Sequence, residues 1–263
     1  MVYYEEKSVS KPKFFGLSLI ELPREVRAEV EKPFPEKLEK ARQLLRLWIN
    51  QRAYVSCSFG KDSMALLFLA LQIRKDVPVI YVNTGVDFQE TIKFKNRIKE
   101  LWDLNLIELK PNITFFQVMD RVKAKGKKLD DGSKHTNICC YHLKEKPLLL
   151  ITRQMGFTHC FTGITAMESR KRAWTACTHG QEYYVKKQEI TKIHPILYWH
   201  YTEVLQFIRD EGIPVNPVYE KYGIPRTGCM CCTCYRGWRE QLARVNPKLY
   251  KIIMERYFDQ LTF

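Results

Sequence analysis

The stretch Ser56-Cys57-Ser58-Phe59-Gly60-Lys61-Asp62-Ser63 lies between two segments with different patterns. The apolar run at 53–58 (AYVSCS) predicts a β-strand, and residues 62–74 predict a helix. A loop that leads from a strand into a helix exposes the free N–H groups of the first helical turn, at the positive end of the helix dipole. A phosphate binds well at such a position. In this loop Ser58 and Ser63 add hydroxyl donors, Gly60 allows close backbone approach, and Lys61 supplies a counter-charge.

The same residues also fit a second interpretation, an ordinary helix with a Ser or Asp N-cap. They do not fit the Walker A pattern GxxxxGK[ST], because Val55 stands at the position of its first glycine and Asp62 at that of its Ser or Thr. The loop therefore excludes the P-loop kinases and GTPases.

Strand-like and helix-like segments alternate on both sides of this loop. Apolar runs predict strands at 77–83, 106–109 and 157–162, and helical patterns occur at 35–48, 88–102, from 115, and from 144 to about 156. This alternation predicts an α/β fold with a mostly parallel sheet and helices on both faces. We expect three regions: an N-terminal helical layer (1–50), a nucleotide-binding domain (51–225), and a cysteine-rich segment with a C-terminal helix (226–263).

The composition narrows the class of partner. The chain has 263 residues, with 43 Lys and Arg against 29 Asp and Glu, so its formal net charge is +14. This excess predicts attraction to polyanions, without choosing among nucleotides, nucleic acids and acidic membranes. No apolar run approaches the roughly 20 residues that span a bilayer, and no signal-peptide pattern is visible. We therefore expect a cytoplasmic protein without a membrane partner, whose nine cysteines bind metal or do redox chemistry.

Five segments in one order carry a resemblance to a known family. The loop 56–63 resembles the PP-loop, SGGxDS, of the ATP pyrophosphatases, in the SFG variant of the adenylyl-sulfate and phosphoadenylyl-sulfate (APS/PAPS) reductases. Residues 83–91 are similar to that family's DTGxxFPET, and 139–148 to its CCxxxKxxPL. Residues 162–172 resemble TGxRxxxSxxR, with Thr165 where an arginine is usual, and 228–233 resemble the GCxxCT end. The resemblance implies the Rossmann-like adenine nucleotide alpha hydrolase (PP-loop) fold.

The resemblance also implies functional residues and ligands. It implies ATP and Mg²⁺ as ligands, with Lys61 and Asp62 at the phosphates and Asp62 positioning Mg²⁺ through water. Lys144 and Arg170 would neutralise developing charge. The remaining nucleotide-binding residues implied by the motifs are Ser58, Phe59, Gly60, Ser63, Thr84, Gly85 and Gly163.

The paired and clustered cysteines imply a metal centre. In the APS reductase branch, adjacent cysteines and a CxxC motif hold a [4Fe–4S] cluster, which assigns the ligands here to Cys139, Cys140, Cys229 and Cys232. A second CxxC register, Cys231 to Cys234, overlaps the first and leaves the assignment open. Zinc remains an alternative, because four thiolates suit either metal centre.

One family residue is missing, and it decides our first hypothesis. The reductases take a nucleophilic thiolate from a C-terminal ECGLH-type segment, whereas this sequence has no cysteine after Cys234. We therefore favour an ATP pyrophosphatase that adenylylates an acceptor, taken as DNA in phosphorothioate modification, with sulfur from a cysteine desulfurase or another donor. The alternatives are an APS/PAPS reductase whose nucleophile is Cys231 or Cys234, and a zinc-stabilised nucleic-acid-binding module.

Overall fold

The computed structural model describes residues 16–124, 137–232 and 237–258. The strands are β1 (Ala53–Ser56), β2 (Val79–Val82), β3 (Leu106–Leu109), β4 (His159–Thr162), β5 (Glu182–Val185) and β6 (Ile190–Ile193). The helices are α1 (Arg24–Val30), α2 (Phe34–Trp48), α3 (Lys61–Ile73), α4 (Gln89–Trp102), α5 (Phe115–Ala124), α6 (Asn137–Cys140), α7 (Lys146–Gln154), α8 (Arg170–His179), α9 (Tyr201–Asp210), α10 (Val218–Tyr222), α11 (Trp238–Val245) and α12 (Pro247–Tyr257). The predicted strands and helices are confirmed to within a few residues.

The strands form one sheet in the order β3-β2-β1-β4-β6-β5. All neighbours pair in parallel except β5 and β6, which form an antiparallel edge. The parallel strands consequently end at the same edge of the sheet, and the order reverses between β1 and β4. Ligands of open α/β sheets bind beyond the carboxyl ends of the strands at such a reversal.

Alternate residues of the central strands enter different cores. Val55 of β1 packs with buried residues of α2, α3, α4 and α9, whereas Tyr54 faces a smaller cluster that includes residues of α7. This period of two is what a sheet with both faces covered requires. The predicted α/β architecture with helices on both faces is therefore confirmed.

A separate core supports the cysteine-bearing segments. It joins α5 to α11 and α12 through apolar residues that include Val118, Leu242 and Ile253, and it also contains Leu143 and Cys231. The C-terminal helices thus pack beside the sheet domain and bring α5 against the chain that carries the cysteines.

The sequence patterns missed the β5–β6 hairpin. Its strands alternate only weakly in burial, because β5 is an edge strand whose Glu182 and Tyr184 are exposed.

No helix in the described residues is both long enough and apolar enough to cross a membrane.

A substitution at Phe161 tests the packing around the central strand β4. Its ring is fully buried in β4, so we expect Phe161→Ala to lower the free energy of unfolding by about 3–5 kcal/mol. Leu47, which is 61% exposed on α2, is the control, and Leu47→Ala should change stability by about 0.5 kcal/mol or less. Urea denaturation measures both values. Equal effects of the two substitutions would contradict the described core.

Candidate functional site at the carboxyl edge of the sheet

The loop between β1 and α3 is held by an unusual backbone conformation. Phe59 has a φ of 55°, a left-handed conformation that costs a non-glycine residue roughly 1–2 kcal/mol. Its ring is fully buried and packs edge-on against Tyr81, with the centroids 5.5 Å apart. The buried side-chain amide of Asn216 donates to the Phe59 carbonyl at 3.0 Å and to the Thr91 hydroxyl at 3.0 Å. Burial of the ring and this hydrogen bond offset the backbone strain.

The side chain of Ser63 forms hydrogen bonds within the loop. Its hydroxyl donates to the Gly60 carbonyl at 2.9 Å and accepts from the Gly60 N–H at 3.1 Å. The Ser58 hydroxyl lies 3.2 Å from it, and Ser58 is exposed whereas Ser63 is buried. Ser63 therefore fixes the shape of the loop, while Ser58 is accessible to a ligand.

The start of α3 carries paired charges. The Lys61 ammonium lies 2.5 Å from the Asp62 carboxylate and 5.0 Å from the centre of the Tyr201 ring. The backbone N–H of Lys61 donates to the Tyr219 hydroxyl at 3.0 Å. In this arrangement both donors of Lys61 have partners within the protein.

Gly163 brings the end of β4 against this loop. A Cβ at position 163 would lie 2.7 Å from the Asp62 carbonyl oxygen and 2.8 Å from the Ser63 Cα. Because both neighbours are backbone atoms, only glycine fits without shifting α3. Gly163 thus sets the distance between the β4 loop and the candidate phosphate site.

The segment after β2 faces the cysteines. Asp87, which is buried, accepts hydrogen bonds from the Thr84 N–H at 2.8 Å and from the Thr84 hydroxyl at 2.7 Å. The Thr84 hydroxyl also lies 3.3 Å from the Cys229 sulfur, and Asp87 forms a backbone bridge with Cys229. Thr84 therefore contacts the cysteine-bearing segment, while Gly85 is exposed at the turn.

The four predicted cysteine ligands line one cavity. Cys139 and Cys140 end α6, and the chain continues through a π-helical turn, Tyr141–Glu145, that carries Lys144. π-Helical turns are frequent at functional sites. The cavity is lined by Phe115, Cys139, Cys140, Leu143, Lys144, Cys229, Cys231 and Cys232. The fold thus brings together cysteines that are about ninety positions apart in the sequence.

The charge of this cavity depends on Lys144. The neighbouring Cys229 raises the pKa of Lys144 well above its ordinary value against the opposing effect of burial, with further contributions from Asp87, Cys140 and Cys232. Burial raises the pKa of Cys229, and it raises that of Cys231 well above the usual value. The cavity is therefore a place where one ammonium ion faces several thiols.

The candidate metal ligands of this cavity are thiols. All four candidate ligands are thiols, which suits either [4Fe–4S] or zinc. Within the described ranges, however, no three His, Cys, Asp or Glu side chains are placed to hold one metal ion. The four thiols nevertheless line one cavity, so their chemistry fits a thiolate-bound metal centre.

The structure separates the two arginines at the start of α8. Arg170, which we predicted to be catalytic, is 85% exposed and pairs only weakly with Glu21 at 3.5 Å, so the fold does not bring it to the loop. Arg172 is half-buried, pairs with Glu168, and senses the charges of Arg226 and Asp62. Burial, helped by Arg226, lowers the pKa of Arg172 to about 10. Arg172 is therefore a stronger candidate than Arg170 for the role that we predicted for Arg170.

Our sequence analysis missed several residues of this site. Arg172 could have been found, because it is the last arginine of the TGxRxxxSxxR pattern. Asn216 and Tyr219 follow α9 and have no local signal that connects them with a loop more than 150 positions earlier. Cys234 lies outside the described residues.

Comparison with known proteins identifies the class. A family model described as the phosphoadenosine phosphosulfate reductase domain matches residues 52–235, and the chain belongs to this family. The adenosine 5'-phosphosulfate reductase of Staphylococcus epidermidis is 31% identical over 181 residues, which cover 68% of this chain and 69% of that protein. The enzyme of the same name from Bacillus mycoides is 28% identical over 180 residues, 68% of this chain and 71% of that protein.

Two solved structures support the fold alone. The phosphoadenylyl-sulfate reductase of Candida auris, in a phosphate complex, has a TM-score of 0.56 and 18% identity over 79% of this chain and 96% of that one. The U34-tRNA thiolase NcsA of Methanococcus maripaludis, with its [4Fe–4S] cluster, has a TM-score of 0.51 and 16% identity over 87% of this chain and 79% of that one. The predicted PP-loop superfamily fold is confirmed.

These relatives correct our first hypothesis. We predicted an ATP pyrophosphatase that activates DNA for phosphorothioate modification, and this prediction is wrong. The curated relatives are named adenosine 5'-phosphosulfate reductases, and the matching family is that of the reductase domain. Our second hypothesis, an APS/PAPS reductase, agrees with these findings.

A substitution at Asn216 tests which contacts stabilise the loop between β1 and α3. Asn216→Ala would leave the Phe59 carbonyl and the Val218 N–H, which now bonds to the Asn216 side chain at 3.1 Å, without these partners. We expect a loss of about 2 kcal/mol or more in the free energy of unfolding, because unsatisfied buried groups cost about 1–3 kcal/mol each. Asn83→Ala is the control, since its amide bonds to Glu108 near the surface. A loss no larger than that of the control would contradict the described role.

Proposed function

We propose that this protein is a sulfonucleotide reductase that converts adenylyl sulfate, or its 3'-phosphorylated form, into sulfite and an adenine nucleotide. The observation that carries the proposal is a phosphate-type loop that shares one hydrogen-bonded framework with a thiol-lined cavity. The 31% identical relative named adenosine 5'-phosphosulfate reductase supports it. Such a reaction needs an anion site and a thiol side by side, and both kinds of group occur at this edge of the sheet.

The anion site consists of the start of α3 and the cations around it. Ser58 and the Lys61 N–H supply hydrogen-bond donors to a phosphate, and the helix dipole favours its charge. Arg172 approaches from α8, where it senses Asp62. A planar guanidinium binds two oxygens of a phosphate or sulfo group at once, which suits Arg172 to hold the group that is being transferred.

The chemistry requires a thiolate and an external dithiol. The thiolate attacks the sulfur atom of the sulfo group, the sulfur–oxygen bond to the phosphate breaks, and AMP leaves with its electron pair. The enzyme then carries an S-sulfo group. One thiol of the dithiol attacks the enzyme sulfur, so that sulfite leaves with the electron pair. The second thiol completes the disulfide and returns the enzyme thiol, and the substrate has gained the two electrons that the dithiol lost.

We assign the attacking thiol to Cys234. Cys231 is only 1% exposed and burial raises its pKa, which is the opposite of what a nucleophile requires. Cys57 is also buried, with a pKa raised by burial to about 11. Cys139, Cys140, Cys229 and Cys232 are assigned to the metal centre, which leaves Cys234 as the candidate within the CxxC registers.

Cys139, Cys140, Cys229 and Cys232 would hold a [4Fe–4S] cluster, which when bound adds a fixed centre of negative charge beside the substrate site. Lys144 lies among these thiols, where its ammonium faces that charge. The chain's own contribution is to keep Lys144 protonated and directed toward the cavity, so that its charge stabilises an anionic group at the boundary between the cavity and the loop.

The two arginines of α8 provide a matched test of the site. Purified protein is incubated with adenylyl sulfate or phosphoadenylyl sulfate and a dithiol, and sulfite is measured. We expect Arg172→Gln to lower kcat/KM on the order of 10²-fold, because it removes a charged donor to the reacting group. Arg170→Gln should leave kcat/KM unchanged, since Arg170 is exposed. If the wild-type protein releases no sulfite from either nucleotide, the proposed function is wrong.

The assignment of the cysteines predicts different effects of two serine substitutions on sulfite release and on iron content. Cys234→Ser should abolish sulfite release and retain iron, because it removes the nucleophile and no ligand. Cys140→Ser should lose iron and the broad visible absorbance of a cluster. Retention of sulfite release by Cys234→Ser would show that another thiol attacks the substrate, and a colourless, zinc-containing wild-type protein would overturn the cluster assignment.

A further inference from the structure

The Tyr219 hydroxyl accepts a hydrogen bond from the first turn of α3. The Lys61 N–H belongs to the first turn of α3, where no intrahelical acceptor is available to it. It donates instead to the Tyr219 hydroxyl at 3.0 Å. Tyr219 comes from α10, a distant segment of the chain, so this contact is a tertiary cap on the helix that the proposed function assigns to phosphate binding.

A second hydroxyl lies beside the first. A Cβ at Gly60 would lie 2.7 Å from the Thr227 hydroxyl and 3.1 Å from that of Tyr219. The face of the loop that presents the Lys61 N–H is therefore covered by two hydroxyl groups from the chain that leads to Cys229.

The ammonium group of Lys61 also has partners within the protein. The Lys61 ammonium pairs with Asp62 at 2.5 Å and lies over the Tyr201 ring. Without a ligand, the N–H and the ammonium group of Lys61 both have partners. A phosphate that approaches must replace these partners, because one N–H cannot form two full hydrogen bonds in the same direction.

We propose that Tyr219 is a positioning residue whose hydroxyl holds the phosphate position at the Lys61 N–H until the nucleotide binds and displaces it. This inference rests on the proposed function, because it takes the loop as the phosphate site of the nucleotide. Tyr219 and Thr227 flank the chain that continues to Cys229, and Cys229 pairs with Asp87. Displacement of Tyr219 therefore releases a restraint on the segment that carries the cysteines when the substrate is in place.

The test uses Tyr219→Phe, with Tyr222→Phe as the matched control. Both tyrosines belong to α10, but the Tyr222 hydroxyl bonds to Glu90 at 2.8 Å, away from the loop. Binding of AMP and of adenosine is measured by calorimetry without a dithiol. Because Tyr219→Phe removes the competing acceptor, we expect it to bind AMP about 10-fold more tightly than the wild-type protein does. Adenosine, which has no phosphate, should bind all three proteins equally.

Kinetics and a second variant separate positioning from a structural role. For Tyr219→Phe we expect KM to fall while kcat does not rise, whereas a variant that merely loosens the fold would raise KM. Thr227→Val, which removes the second hydroxyl beside Gly60, should shift AMP binding in the same direction by a smaller factor. Equal or weaker AMP binding by folded Tyr219→Phe, or by Thr227→Val if the first variant does not fold, overturns the inference.

If the wild-type protein binds no AMP, the loop assignment fails and the inference fails with it. AMP binding without sulfite release overturns the proposed function alone.

Discussion

The hydrogen bond between the Asn216 side chain and the Phe59 carbonyl is the contact on which the site depends. Phe59 has a left-handed backbone conformation, and this turns its carbonyl away from the helix and toward Asn216. Without a buried partner for that carbonyl, the loop would have no reason to keep a conformation that is costly for phenylalanine. The direction of the Lys61 N–H, to which the proposed function assigns a phosphate, follows from this turn.

The same contact connects the two halves of the site. Asn216 also bonds to Thr91 of α4, and the segment that precedes α4 holds Cys229 through Asp87 and through a hydrogen bond from the Met230 N–H to the Val86 carbonyl at 2.9 Å. The phosphate loop, the segment after β2 and the cysteine-bearing chain therefore form one hydrogen-bonded unit. On the proposed function, a change at the nucleotide would reach the thiols through this unit.

The parts of this protein that local patterns determine were predictable, and those that depend on distant contacts were not. The β1 loop, α3 and the paired cysteines follow from short motifs, whereas Tyr219 and Asn216 join the site only through the fold. The choice between Arg170 and Arg172 depends on local geometry: two residues along a helix are rotated by roughly 200°, so the two arginines face opposite sides of α8. The first functional hypothesis gave too much weight to one missing cysteine, although the same loop serves several reactions.

The proposed role of Tyr219 has a consequence for how a very basic protein binds anions. With a formal net charge of +14, an open helix start beside Lys61 would attract any phosphate or sulfate in solution. Tyr219 and Asp62 compete with such ions, and a simple anion has only its charge with which to displace them. A nucleotide brings the binding energy of its adenine and ribose as well, and part of that energy can be used to replace the internal partners. A cost that every anion meets leaves the ratio of their affinities unchanged, because specificity is a difference of binding free energies. It lowers every affinity by the same factor, so that a weakly bound simple anion would no longer occupy the loop at concentrations where the nucleotide, with its additional contacts, still does.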